Sequence, residues 1–353
     1  MTFARCATLS AVVLLAGCGR GTPAATAPNP QPAPVVAPAP TIPPPADAPH
    51  LARPIACRIG ATCEIQNYVD RDPGPAVQDY RCGQRTYEAH GGIDFRIPDM
   101  AAQRAGVAVL AAAPGTVSRL RDGVEDISVR TAGVDVSNKE CGNGVVVDHG
   151  NGWETQYCHL ARGSIIVKAG DPVTTGQALA MVGLSGNTEY PHLHLTVRHN
   201  GVTIDPFAPT PGAACNAATG PASSLWDRAT GQILRYQTGA VLNGGFAVGP
   251  VAADAVEAGG IAAPSADSPM MIAYIRAIGL KAGDVQDIIV KGPDGEVLAQ
   301  SRLPPLDRDK AQYLVYAGKK RPAAGWSKGV YTARYTVSRA GDPVLHREYK
   351  LAF

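Results

Sequence analysis

No stretch of this chain sustains the 3.6-residue apolar period of a long helix. Short apolar runs alternate at period two and are cut by glycine or proline, 39 and 30 of them in 353 residues. A chain patterned this way pairs strands rather than bundling helices. Val107 to Ala111 and Gly115 to Val117 read as a strand pair about the turn Ala113-Pro114-Gly115. Val145 to Asp148, the turn His149-Gly150-Asn151-Gly152 and Trp153 to Leu160 read as a hairpin, because Asn-Gly tolerates the positive φ of a tight turn. Ala178 to Val182 and Leu193 to Val197 continue the pattern. The expected fold is mainly β: an antiparallel sheet or sandwich domain over 55–219, then a smaller immunoglobulin-like β-sandwich accessory domain over 223–353. In the latter, Val330-Tyr331-Thr332-Ala333-Arg334-Tyr335-Thr336-Val337 alternates most cleanly and predicts one buried and one wet face. It carries no chemical constellation, and it is expected to fold separately.

The N-terminus reads as an export address. Arg5 precedes an apolar stretch, Leu9 to Ala16, too short to span a bilayer, and Leu15-Ala16-Gly17-Cys18 follows. Residues 1–17 are expected to be a lipoprotein signal peptide cleaved before Cys18, whose thiol would carry lipid. Residues 18–54, dominated by Pro and Ala, have too little large apolar side chain to form a core and read as an extended, lipid-anchored tether. Gly19 after Cys18 suits outer-membrane sorting, hence an expected place on its periplasmic side. A formal net charge of +2 and no basic cluster with interleaved aromatics set nucleic acid aside as a partner.

Eight cysteines less Cys6 and Cys18 leave six: Cys57, Cys63, Cys82, Cys141, Cys158 and Cys215. An even count in an exported chain points to three disulfides. With the hairpin turn centred near Gly150-Asn151, Cys141 and Cys158 fall almost opposite each other, close enough for a disulfide. Spacing does not assign partners to the other four.

Four of the eight histidines lie in three short motifs. His90-Gly91-Gly92-Ile93-Asp94 sets an imidazole and a carboxylate four residues apart, with a glycine pair that disfavours helix. Gln156-Tyr157-Cys158-His159-Leu160 ends the hairpin on another histidine. His192-Leu193-His194-Leu195 alternates at the strand period, so both imidazoles share one face and both leucines the other. Nitrogen and carboxylate donors suit Zn²⁺, which in catalytic sites takes three protein ligands and keeps a fourth position open. His90, Asp94 and one of the two strand histidines supply that count; spacing does not say which. His149 and His199 sit in turns and His346 stands alone, so these read as structural or surface residues, and Tyr157 and Tyr190 as packing.

Taken in order, HGGID, GNGVVVDHGNGWETQYCHL, VKAGDPVTTGQALAMVGLSG and PHLHLTVRHNGVTIDPF resemble the lysostaphin-type (LytM-type, Duplicated hybrid motif) peptidoglycan zinc metalloendopeptidases over roughly residues 80 to 210. The resemblance implies one Zn²⁺ per chain held by His90, Asp94 and His194, with His159 and His192 catalytic. It implies hydrolysis of amide bonds in peptidoglycan stem peptides or cross-links. The alternative is a non-catalytic peptidoglycan-binding activator of other wall hydrolases, as in family members that have lost ligands. The departure from the family pattern is the long segment from Arg121 to Glu140, expected to wall a substrate groove.

Overall fold

The computed structural model describes residues 45–210 and 223–353. The signal segment, most of the tether, Cys6, Cys18 and Cys215 lie outside the described residues. In the first region the elements are β1 (Glu64–Asn67), β2 (Ile93–Arg96), α1 (Met100–Ala105), β3 (Ala108–Leu110), β4 (Gly115–Arg121), β5 (Asn143–Gly150), β6 (Trp153–Leu160), β7 (Pro172–Val173), β8 (Ala178–Met181), β9 (His192–His199) and β10 (Val202–Ile204). One antiparallel sheet runs β1-β2-β9-β6-β5-β4-β7, with β10 on β9; β3 and β8 form a separate pair.

Side-chain alternation fixes this sheet. On β9, Leu193, Leu195 and Val197 are buried in the core, as are Ile93 and Phe95 on the neighbouring β2. Each such burial is worth about 1.5–3 kcal/mol, and a one-residue slip would exchange them for His192 and His194. The hairpin forms as its turn chemistry predicts: Gly150, Asn151 and Gly152 all have positive φ, and Cys141 and Cys158 are bonded with their Cα atoms 4.8 Å apart. Cys57 pairs with Cys63, and Cys82 is also disulfide-bonded.

One expected pairing does not form. The turn at Ala113-Pro114-Gly115 joins strands of different sheets, since β3 pairs with β8 and β4 with β5 and β7. The crossing segment is held instead by Gln177, whose carbonyl accepts from Ala111 N–H, and by the Tyr157 hydroxyl, which accepts from Ala112 N–H at 2.8 Å. The end of the expected tether is also packed rather than extended. Leu51 is fully buried, donates its N–H to the Leu225 carbonyl and accepts from Asp227 N–H. It is the first large apolar side chain after the Pro/Ala run that finds a core to enter.

The second region comprises α2 (Arg228–Ile233), β11 (Ala240–Ala247), α3 (Ala253–Ala258), β12 (Met270–Leu280), β13 (Val285–Lys291), β14 (Val297–Arg302), β15 (Lys310–Lys320), β16 (Val330–Arg339) and β17 (Asp342–Ala352). Seven strands make two antiparallel sheets, β11-β12-β15 and β14-β13-β16-β17. Their shared core includes Ile275, Ile288 and, from β16, Tyr331, Ala333, Tyr335 and Val337, the alternating set expected from the sequence.

Separate folding from Ser223 onward is not what the packing shows. Leu225, Trp226 and Leu234 are buried in the first region's core, and Tyr236 stacks on Tyr68 with ring centres 5.2 Å apart. Beyond them, Arg85 donates to the Gln237 carbonyl, Arg347 to the Gly60 carbonyl and Arg96 to Glu257. All described residues belong to one compact unit.

Candidate active site

Three adjacent strands converge on one place. Asp94 on β2 is the cross-strand partner of His194 on β9, which on its other side partners Cys158 on β6. His192, two residues earlier on the same face, partners Arg96. His90 enters from the loop before β2, whose approach is made possible by Gly92: a Cβ there would lie 2.4 Å from His194 Nε2 and 2.6 Å from the Leu195 carbonyl oxygen. His159 follows Cys158, so plain alternation would turn it toward the core with Tyr157. A register shift between β5 and β6 and a φ of 59° at His159 redirect its ring beside His192, centroids 4.6 Å apart. A non-glycine residue in this left-handed region is costly and concentrates at functional sites.

Asp94 Oδ1 is the focus. His194 Nδ1 lies 2.9 Å from it, His90 Nε2 3.1 Å and His192 Nε2 3.2 Å. Oδ2 accepts from Asn67 Nδ2 at 2.7 Å, which fixes the carboxylate plane. The remaining ring nitrogens are tied outward. His90 Nδ1–H donates to the Tyr68 carbonyl at 2.6 Å, His192 Nδ1–H to the Tyr190 carbonyl at 3.0 Å and His159 Nδ1–H to the Ser185 carbonyl at 2.8 Å. His194 Nε2 meets Thr196 Oγ1 at 3.1 Å. The carbonyl acceptors hold the proton on Nδ1 of His90, His192 and His159, so that Nε2 of each faces inward, the arrangement of metal-ligating imidazoles.

Electrostatics divide the cluster: the carboxylate draws a proton toward His90, while burial keeps His159 and His194 neutral. Burial pushes the Asp94 carboxyl up, but His90 and His192 beside it hold it well below the usual carboxylate range. Burial lowers His90, yet the Asp94 carboxylate outweighs this and leaves it raised. His159 is held well below its ordinary value by burial, then by His192 and His194, and His194 is lowered mainly by burial. The inward nitrogens of His90 and His194 are 3.2 Å apart. Two ring nitrogens this close beside a carboxylate suit a cation, and among the described residues two donor triplets share His194: His90, Asp94, His194 and His159, His192, His194. The donor set therefore fits a divalent metal.

His159, His192 and Asp94 line a cleft of about 440 Å³ whose walls come from several elements. Val129 and Arg130 of the long segment after β4 stand on one side, with Arg130 paired to Glu189 at 2.6 Å. Tyr190, read from sequence as packing, lines the cleft, whereas Tyr157 is core. His149 is bonded to Pro114 O and Thr155 Oγ1, and His199 stacks on Trp153; neither enters the cleft. Asn67, Tyr87, Arg96 and Glu257 also line it and carried no motif. Only the position of Arg96 two residues after Asp94 on the same strand face could have flagged any of them.

A buried carboxylate and converging imidazoles on one face of an antiparallel sheet form a donor set suited to a divalent metal. Residues 88–206 match the model for Peptidase family M23. It is 34% identical over 129 residues to the DD-carboxypeptidase/endopeptidase Mpg of Neisseria meningitidis, covering 36% of this chain and 24% of Mpg. It is 32% identical over 105 residues to the peptidoglycan DD-endopeptidase ShyA of Vibrio cholerae, covering 30% and 19%. The chain thus spans about a quarter or less of these relatives' length. A solved zinc-containing peptidase from Vibrio cholerae is 24% identical, covering 45% of this chain and 39% of its own, at a TM-score of 0.31.

Proposed function

We propose that the protein is a zinc-dependent endopeptidase that hydrolyses amide bonds in peptidoglycan stem peptides or cross-links. The observation that carries this reading is the convergence of His90, His192 and His194 on one Asp94 oxygen, with their outer nitrogens fixed. His90, Asp94 and His194 would hold the ion, two borderline nitrogens and one oxygen being a common zinc set. Bound Zn²⁺ supplies Lewis acidity, which polarises the scissile carbonyl and makes water acidic near neutrality.

The chain's own residues handle the protons. Amide hydrolysis takes one proton from the attacking water and gives one to the leaving nitrogen. His192, anchored through Nδ1, presents Nε2 to the cleft with Asp94 Oδ1 3.2 Å away to support a charge gained there. His159, anchored on the Ser185 carbonyl and kept neutral by burial, presents the second nitrogen beside it. One can serve as base while the other stabilises the oxyanion or protonates the amine. The filled donor set argues against the non-catalytic activator. Purified protein incubated with peptidoglycan should release peptides cut at D-alanyl cross-links, seen by mass spectrometry. Chelation should stop this and zinc restore it; intact sacculi with bound zinc present would reject the reading.

The Leu15-Ala16-Gly17-Cys18 sequence and the Pro/Ala run after it support lipid anchoring through Cys18 in the bacterial envelope, on the periplasmic face of the outer membrane. Cys18→Ala should abolish detergent-phase partitioning. The 3 + 4 strand order of the second region supports an immunoglobulin-like reading.

A further inference from the structure

Helix α3 belongs to the second region, yet Glu257 on it lines the cleft alongside Arg96, Tyr190 and His192. Its Oε2 accepts from Arg96 at 2.6 Å and from Arg276 as well. Both guanidinium groups are buried, with side-chain exposures of 1% and 0%. One carboxylate oxygen therefore holds two cations that would otherwise repel each other out of water. Arg96 is the cross-strand partner of His192. Its guanidinium carbon lies 3.7 Å from the centre of the Tyr190 ring, and its other arm is bonded to Gln66. The Tyr190 carbonyl in turn takes the Nδ1 proton of His192, with Thr188 Oγ1, itself donating to that carbonyl, 3.1 Å from the same nitrogen. A continuous series of contacts thus runs from α3 to the imidazole: carboxylate, guanidinium, aromatic ring, backbone carbonyl, ring nitrogen.

We propose that Glu257 is a positioning residue for His192, contributed to the active site by the second region. It fixes Arg96 beneath Tyr190, and Tyr190 fixes the tautomer and direction of His192. The inference rests on the proposed peptidase activity for its kinetic arm and is independent of it for its spectroscopic one.

The test uses the full chain. In Glu257→Gln the zinc content should stay at one per chain and KM within about twofold, while kcat falls about 10-fold, the scale of a small misplacement of a reacting group. In metal-free protein the ring ¹⁵N resonances of His192 should leave the Nδ1-protonated pattern, while those of His90, anchored separately on Tyr68, stay put. Glu257→Asp should restore part of kcat. Unchanged kcat and unmoved His192 resonances, with a lowered melting temperature, would reduce Glu257 to a structural tie and overturn the proposal. If Glu257→Gln does not fold, Tyr190→Leu decides, because it removes the ring but keeps the Glu257 ion pairs: it must give the same kcat and ¹⁵N changes, and silence in both sinks the idea. Inactive wild-type protein whose His192 resonances still respond to Glu257→Gln would reject the peptidase reading and keep the positioning role.

Discussion

The backbone at His159 sets the needs of the site against those of the strand. With φ at 59°, glycine should suit the position better than alanine, by about 1 kcal/mol. We expect His159→Gly to be more stable to denaturant than His159→Ala, the reverse of the order in ordinary strands, with both slowed to a similar degree; equal stabilities would mean that the left-handed backbone relaxes without cost. Side-chain roles separate by metal content. His90→Ala, Asp94→Ala and His194→Ala should lose zinc and activity together, each removing one of three protein ligands. His192→Ala and His159→Ala should keep zinc and lose roughly 10²-fold in rate; metal lost from His192→Ala but kept by His194→Ala would exchange their roles. At this scale the sequence was informative where chemistry repeats at strand period, as in His192-Leu193-His194. It was silent on Asn67 and Glu257, whose relation to the site exists only after distant segments meet.

Strands with clean alternation, such as β9 and β16, were legible because burial of one face dictates their pattern. β11 was not, since Asn243-Gly244-Gly245 reads as a turn. There the missing side chain serves close approach: a Cβ on Gly244 would sit 2.7 Å from the Tyr274 carbonyl oxygen and 2.9 Å from the Tyr349 ring. Helix α3, only six residues long, is too short to show a period. Strand β1 yields a pH prediction. Burial pushes the Glu64 carboxyl up to about 7, against the lowering effects of Arg85 and Arg347. A carboxyl that keeps its proton longer when folded than unfolded favours the fold most below its unfolded value. That advantage fades as pH rises from about 4.5 toward 7, by up to about 3 kcal/mol. Urea unfolding of metal-free protein at pH 5 and pH 8 should show this loss, and Glu64→Gln should lack its share. Identical pH slopes for the two proteins would show that Glu64 ionises without penalty.

For the molecule as a whole, the place of truncation matters more than the count of domains suggests. Ending the chain near Thr219 strips Leu225, Trp226 and Leu234 from the first core. At about 1.5–3 kcal/mol apiece this rivals the entire stability of a typical domain, so such a protein should be unfolded and metal-free by circular dichroism and elemental analysis. Ending near Gly239 keeps those side chains but loses Glu257, and should give a folded, zinc-binding protein with impaired turnover. Strand content in the second region was readable in advance; its grip on the first was not, because Arg276, Asn243 and Glu257 look like ordinary surface residues until they are seen bonded to Pro98, Asp99 and Arg96. The burial of Leu51 carries a mechanical meaning. A pull on the chain ahead of residue 45 would first meet the clasp of Leu51 between Leu225 and Asp227, and then the rungs that tie Ala52 to Ala112 and Ala56 to Ala108. Tension would spread into the core and toward the Cys57–Cys63 link before it reached β2 or β9. Were the chain moored through Cys18 as proposed, its surroundings could tug it while the strands that aim its histidines stay unloaded.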